Sequence, residues 1–223
     1  MTIFGELKQS NAWDRASSLP LIPMHSNPWI YTAYCYRVFA DLIEPNEREA
    51  INSAVKVRLV ECEPVIGYVS KYPGDTSPTS HDELLGAAYL SVDFAKRALV
   101  FLDQHDGTYT LGEPTLASNM YKFVFMVPAL KALAGYRVGL FSQFLFSVLV
   151  LWDAFHTKPG EANDTLKIWL CYPAMRFYPV SGAALSIWET RWLKRGYNPK
   201  TIFKNNYLTE VPILTKYARG NFT

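Results

Sequence analysis

Positions 80 to 83 put a hydroxyl, an imidazole and two carboxyls on consecutive residues, Ser80, His81, Asp82 and Glu83, directly ahead of the apolar Leu84 and Leu85. Two carboxyls can act as acid and base when they converge on one bond from roughly 5 to 9 Å apart. Asp82 and Glu83 are neighbours, and successive residues of a helix point about 100° apart, so they cannot make that pair alone. A glycan- or cell-wall-cleaving site built on His81, Asp82 or Glu83 therefore needs a third group. The carboxylates available in the flanking loops are Asp75, Asp106 and Glu113. A Ser80, His81, Asp82 triad fails on the same divergence of adjacent side chains. His81 beside Asp82 also suggests a metal, but His25, His105 and His156 stand at no recognisable ligand spacing to it, and no metal site is expected.

The same residues have a structural explanation. Ser80 followed three positions later by Glu83 is a capping box, in which each side chain satisfies a free backbone donor at a helix start, and Asp82 complements the helix dipole. On this reading Ser80 and Glu83 cap the helix and pin the loop 64–79 onto the molecule. His81 and Asp82 keep an open role.

The elements that must position this segment are helical. Asn27-Pro28 starts a helix that stops before Pro45, and Asn46 with Glu47 and Glu49 opens a second that ends near Cys62, ahead of Pro64. The loop that follows is rich in Pro, Gly and Ser, as in Tyr72-Pro73-Gly74-Asp75. Ser80 to Ser91 and Asp93 to His105 are expected to form a helical hairpin. A helix over 115–134 follows, with a kink at Pro128 and an end at Gly135. Further helices are expected at 138–155, 164–176, 181–195, 199–207 and 211–217. Residues 65–72 and 108–111 could form short extended pieces, but nothing alternates long enough to build a sheet. The expected fold is all-α: a stack of antiparallel helical hairpins over 28–223, preceded by an irregular N-terminal arm over 1–27.

Composition excludes several functions. The net charge of +2 arises from 22 basic and 20 acidic residues that are interspersed, so there is no broad electrostatic footprint for nucleic acid. The local cluster Arg191, Lys194, Arg195, Lys200 and Lys204 reads as a solvated helix face. The charge-free run Val138 to Trp152 is shorter than the roughly twenty residues a membrane span requires, and is expected to be a buried helix. Cys35, Cys62 and Cys171 are an odd, widely spaced set, read as buried thiols. Gly135-Tyr-Arg-Val-Gly139 lacks the lysine of a phosphate loop, and no cofactor is expected. With 13 Phe, 14 Tyr and 6 Trp the chain holds more large rings than its core needs, which points to a partner surface. Phe4 and Trp13 in the arm, and Trp188, Trp192 and Tyr197 near the C-terminus, are the candidates for it.

Several separated motifs occur in order: Tyr72-Pro73-Gly74-Asp75 leading into Ser80-His81-Asp82-Glu83, Gly135-Tyr136-Arg137, Asp153-Ala154-Phe155, Leu166-Lys167-Ile168-Trp169-Leu170, Ile187-Trp188-Glu189, and Pro212 to Ala218. Together, over residues 60–218, they resemble a family of small, largely uncharacterised helical proteins encoded by tailed bacteriophages. The resemblance implies a phage gene product made in the bacterial cytoplasm and incorporated in the virion. There it would act through contacts with other virion proteins or copies of itself, as a tail, neck or fibre-attachment component. The Ser-His-Asp-Glu helix start is also distantly similar to one in helical-toroid glycan enzymes, which implies the hydrolase alternative. A phage protein that binds a host factor is the third expectation.

Overall fold

The computed structural model describes residues 28–38, 45–75, 79–105, 126–146 and 148. Among them the protein is all-α. Five helices run in the order α1 (Pro28–Val38), α2 (Pro45–Cys62), α3 (His81–Leu90), α4 (Val92–Gln104) and α5 (Val127–Leu133), followed by a helical segment at 140–146. The extended piece expected at 65–72 reduces to a turn with one isolated bridge, Val65 to Tyr68. The expected arm and the helices beyond 155 lie outside the described residues.

Helix α3 is the centre. Residues 83–88 are all buried, as in a helix apolar on every side and enclosed by others. Helix α1 lies against it, as do α4, α5 and the end of α2. Helix α4 shows why a single stripe suffices at the periphery: Phe94, Ala95, Ala98, Phe101 and Leu102 are buried at helical spacing while Val92, Asp93, Lys96 and Val100 face water. On α2 the buried row is Ile51, Val55, Leu59 and Cys62, with Arg58 buried beside it. Tyr36 Oη of α1 donates to Asn52 Oδ1 of α2 at 3.3 Å.

Helix ends follow local chemistry. Pro28 opens α1 and Pro45 opens α2, where the missing N–H costs nothing. Ser91 alone separates α3 from α4. It is the C-cap of one and the N-cap of the other, its hydroxyl accepting from Phe94 N at 3.2 Å. The two helices expected to pair as a hairpin are thus joined by one doubly used cap residue. Pro128 lies in the first described turn of α5, and the part of the expected helix before residue 126 lies outside the described residues. The end at Gly135 forms as its residue type predicts. Gly135 takes φ of 79°, with Tyr136 N donating to Lys131 O at 2.8 Å and Gly135 N to Ala132 O at 3.1 Å, the paired bonds of a Schellman cap.

The described part of the run Val138 to Trp152, residues 138–146 and 148, corrects one expectation. Read as a buried helix because it lacks charge, it buries Val138, Gln143 and Phe146 but leaves Leu140, Phe141 and Phe144 at 69%, 73% and 55% exposure. Gln143 Nε2 donates back to Val138 O at 2.7 Å and secures the start of the segment. Among the described residues no helix is long and apolar enough to cross a membrane.

Candidate functional site

The loop 63–75 builds one wall of the site. Gly67, at φ of 85°, closes the turn Val65 to Tyr68, and Tyr68 N donates to Val65 O at 2.9 Å. A Cβ on Gly67 would run into Arg97 O and Phe101 Cβ. The turn is clamped onto α4 there by a forked ion pair: Arg97 Nε donates to Glu63 Oε1 at 2.8 Å and Nη2 to Glu63 Oε2 at 2.6 Å, and Gly67 N donates to the same Oε1 at 2.6 Å. Tyr68 stacks obliquely near Phe101, 5.7 Å between centroids, and its hydroxyl accepts from Thr79 N at 3.1 Å.

Ser70 joins this loop to α2 and α1. Its amide donates to Cys62 O at 2.7 Å, and its hydroxyl lies 2.9 Å from Cys62 O and 3.0 Å from Tyr72 O, one proton serving either acceptor. Its carbonyl accepts from Trp29 Nε1 at 2.9 Å. Trp29 is fully buried, so that indole bond satisfies a donor that water cannot reach.

The capping box forms in one direction. Ser80 Oγ accepts from Glu83 N at 3.4 Å, whereas the Glu83 carboxylate turns outward from its own helix and Oε2 accepts from Trp29 N at 2.8 Å. The residue expected to complete the cap of α3 therefore caps α1, 54 positions away in sequence. The Ser80 half contributes modestly at this length. Ser80→Ala is expected to cost about 0.5–1 kcal/mol, the lower part of the range for lost N-caps, read as a small fall in thermal midpoint with α1 protection from hydrogen exchange unchanged.

Glu83 is 0% exposed, and its Oε1 is buried without a hydrogen-bond partner. Burial pushes its carboxyl up to about 8; the Trp29 amide and the Lys71 charge oppose that rise, and the Asp75 charge adds to it. Burial likewise pushes the Cys62 thiol up to about 12, opposed by the Arg58 charge and aided by the charges of Glu61, Glu83 and Asp75, and raises the Tyr72 phenol. Cys62 is a free, buried thiol as its apolar setting implied; Cys35 and Cys171 lie outside what the structure describes.

Of the three loop carboxylates named as partners for a catalytic pair, Asp75 is the one among the described residues, and its charge is felt at Glu83. A carboxyl kept neutral near pH 7 suits a general acid, but such an acid must reach the atom it protonates. Glu83 is sealed from solvent and bonded to backbone, an arrangement that holds two helices together. His81 and Asp82 open α3, and their side chains lie outside the described residues, as do Phe4, Trp13, Trp188, Trp192 and Tyr197. Among the described residues no three His, Cys, Asp or Glu gather as a metal site. His105 is used locally: its ring stacks on Phe101 at 4.0 Å and Nδ1 lies 2.9 Å from Phe101 O.

Two contributors escaped the sequence reading. Gly86 lets the backbone of α1 cross α3 in direct contact: a Cβ there would overlap Trp29 C and O and Ile30 N. Trp29 supplies both the amide that Glu83 caps and the indole that Ser70 receives. The glycine inside the apolar helix Leu84-Leu85-Gly86-Ala87-Ala88 was the available signal, since glycine in a helix interior usually marks a close approach.

Fold and site together define an all-α protein whose buried carboxylate joins two helices. No family model, curated protein or solved structure matches the chain.

Proposed function

We propose that this chain is a structural protein of a tailed-phage virion, a tail, neck or fibre-attachment component that works through contacts with other virion proteins or with copies of itself. The observation that carries the reading is the outward row Leu140, Phe141, Phe144 and Val148, all exposed on the 138–148 run. Large apolar side chains clustered at helical spacing and facing water are the usual mark of a contact surface. The order of phage-like motifs along the sequence supports the virion setting.

The test combines particle composition with a surface variant. Mass spectrometry of purified virions should find the chain, and Phe141→Ser with Phe144→Ser should weaken its assembly while shifting thermal stability by no more than about 0.5 kcal/mol, as expected of exposed positions. A chain that is absent from particles and monomeric at all concentrations would sink the proposal. Absence from the particle together with co-purification of one bacterial protein would favour the host-factor alternative instead.

The hydrolase alternative draws on one observation, the neutral Glu83 carboxyl with Asp75 nearby in charge. It requires glycan cleavage that Glu83→Gln or Asp82→Asn abolishes in a folded protein. Cleavage unchanged by both substitutions, or no cleavage, removes it.

A further inference from the structure

We propose that Glu83 is a proton-operated latch on α1: with its carboxyl protonated the N-terminus of α1 is held against α3, and loss of that proton loosens residues 28–38. This stands apart from the virion reading and rests on the packing alone.

The geometry supplies both halves of the device. Oε2 accepts the Trp29 amide at 2.8 Å, and Oε1, fully enclosed, has no partner. Thr79 Oγ1, at the same end of α3, is also buried without one. A neutral carboxyl can still accept the amide through its carbonyl oxygen, and an unpartnered neutral oxygen is tolerable. An ionised carboxylate leaves a charge-bearing oxygen with neither water nor a donor, which is the costly state. Directly beyond this contact the two backbones touch at Gly86, so α1 has no slack to let water in while staying docked. Relief of the charge requires α1 to lift.

The surrounding groups leave the latch to Glu83. From the 63–75 loop Lys71 favours the ionised form and Asp75 opposes it; Tyr72 also faces it, and Cys62 comes from the end of α2. The described part of α1 presents the Trp29 amide, whose position at a helix N-terminus favours an anion. Burial outweighs these, and the carboxyl stands at about 8. Cys62, at about 12, and Tyr72, raised above its ordinary value, stay neutral through this range. Because the docked carboxyl binds its proton more tightly than the exposed one, docking is strongest below the ordinary value of 4.5. It is lost progressively as pH rises towards about 8 and changes no further above that. Between those limits the open fraction of α1 rises by up to about tenfold per pH unit.

The experiment is hydrogen exchange of peptides covering 28–38 from pH 6 to 9, corrected for intrinsic rates, on the full chain and on Glu83→Gln, which keeps the amide acceptor and cannot ionise. Alongside it, carbon NMR follows the Glu carboxyl resonances of the unaltered protein. The expected result is protection of 28–38 that falls by up to about tenfold per pH unit to pH 8 in the unaltered chain, is flat in Glu83→Gln, and is accompanied by one Glu carboxyl titrating near 8. Equal pH slopes in the two proteins, or every Glu carboxyl titrating between 4 and 5, would overturn it. If Glu83→Gln fails to fold, the NMR titration of the unaltered chain decides by itself.

Discussion

Gly86→Ala is expected to destabilise the protein by about 3 kcal/mol, although the same change in an isolated helix would stabilise it by about 1 kcal/mol. The added Cβ meets backbone on its outward side, Trp29 C and O and Ile30 N. Backbone cannot move aside by changing a rotamer. Helix α1 would have to retreat, and retreat breaks the Trp29 to Glu83 bond and uncovers a buried carboxyl. At roughly 2–4 °C per kcal/mol for a chain of this size, the thermal midpoint should fall by about 6–12 °C. Hydrogen exchange should show the loss first in 28–38. An unchanged midpoint would mean that α1 and α3 do not touch at this crossing.

Trp29→Ala should cost about 3–5 kcal/mol, the usual range for emptying a fully buried large side chain. The indole also leaves Ser70 O without its donor. Trp29→Phe separates the two contributions, because it fills most of the space and lacks the N–H. It is expected to cost about 1–3 kcal/mol, the penalty of a buried acceptor left unmet, read by chemical denaturation. Equal losses in the two variants would assign the whole effect to the hydrogen bond and none to packing.

Residues whose partners lie within a few positions were legible in the sequence. The Ser80 cap, the Gly135 cap with its two bonds and the extent of α2 all followed from residue type, since the groups they satisfy belong to the same helix end. The apolar run 138–148 was not. Absence of charge states what a segment can bury without stating which side is covered, and Phe141 and Phe144 turned outward while Gln143 turned in. At residue 91 the serine is a sound cap signal for the start of α4, and nothing local says that α3 ends on the same residue.

The sequence by itself determined an all-α protein, most of the described helix boundaries and the segment 80–83 as the place where polar groups meet an apolar helix. Tertiary structure decided what that segment is. A carboxyl three residues after a serine is a local cap until another helix offers it a better amide, and here Trp29 N does so at 2.8 Å with both residues fully buried. Docking of α1 across Gly86 encloses Glu83, and enclosure raises its proton affinity; neither can be read along the chain, because both depend on residues far apart in sequence meeting in space.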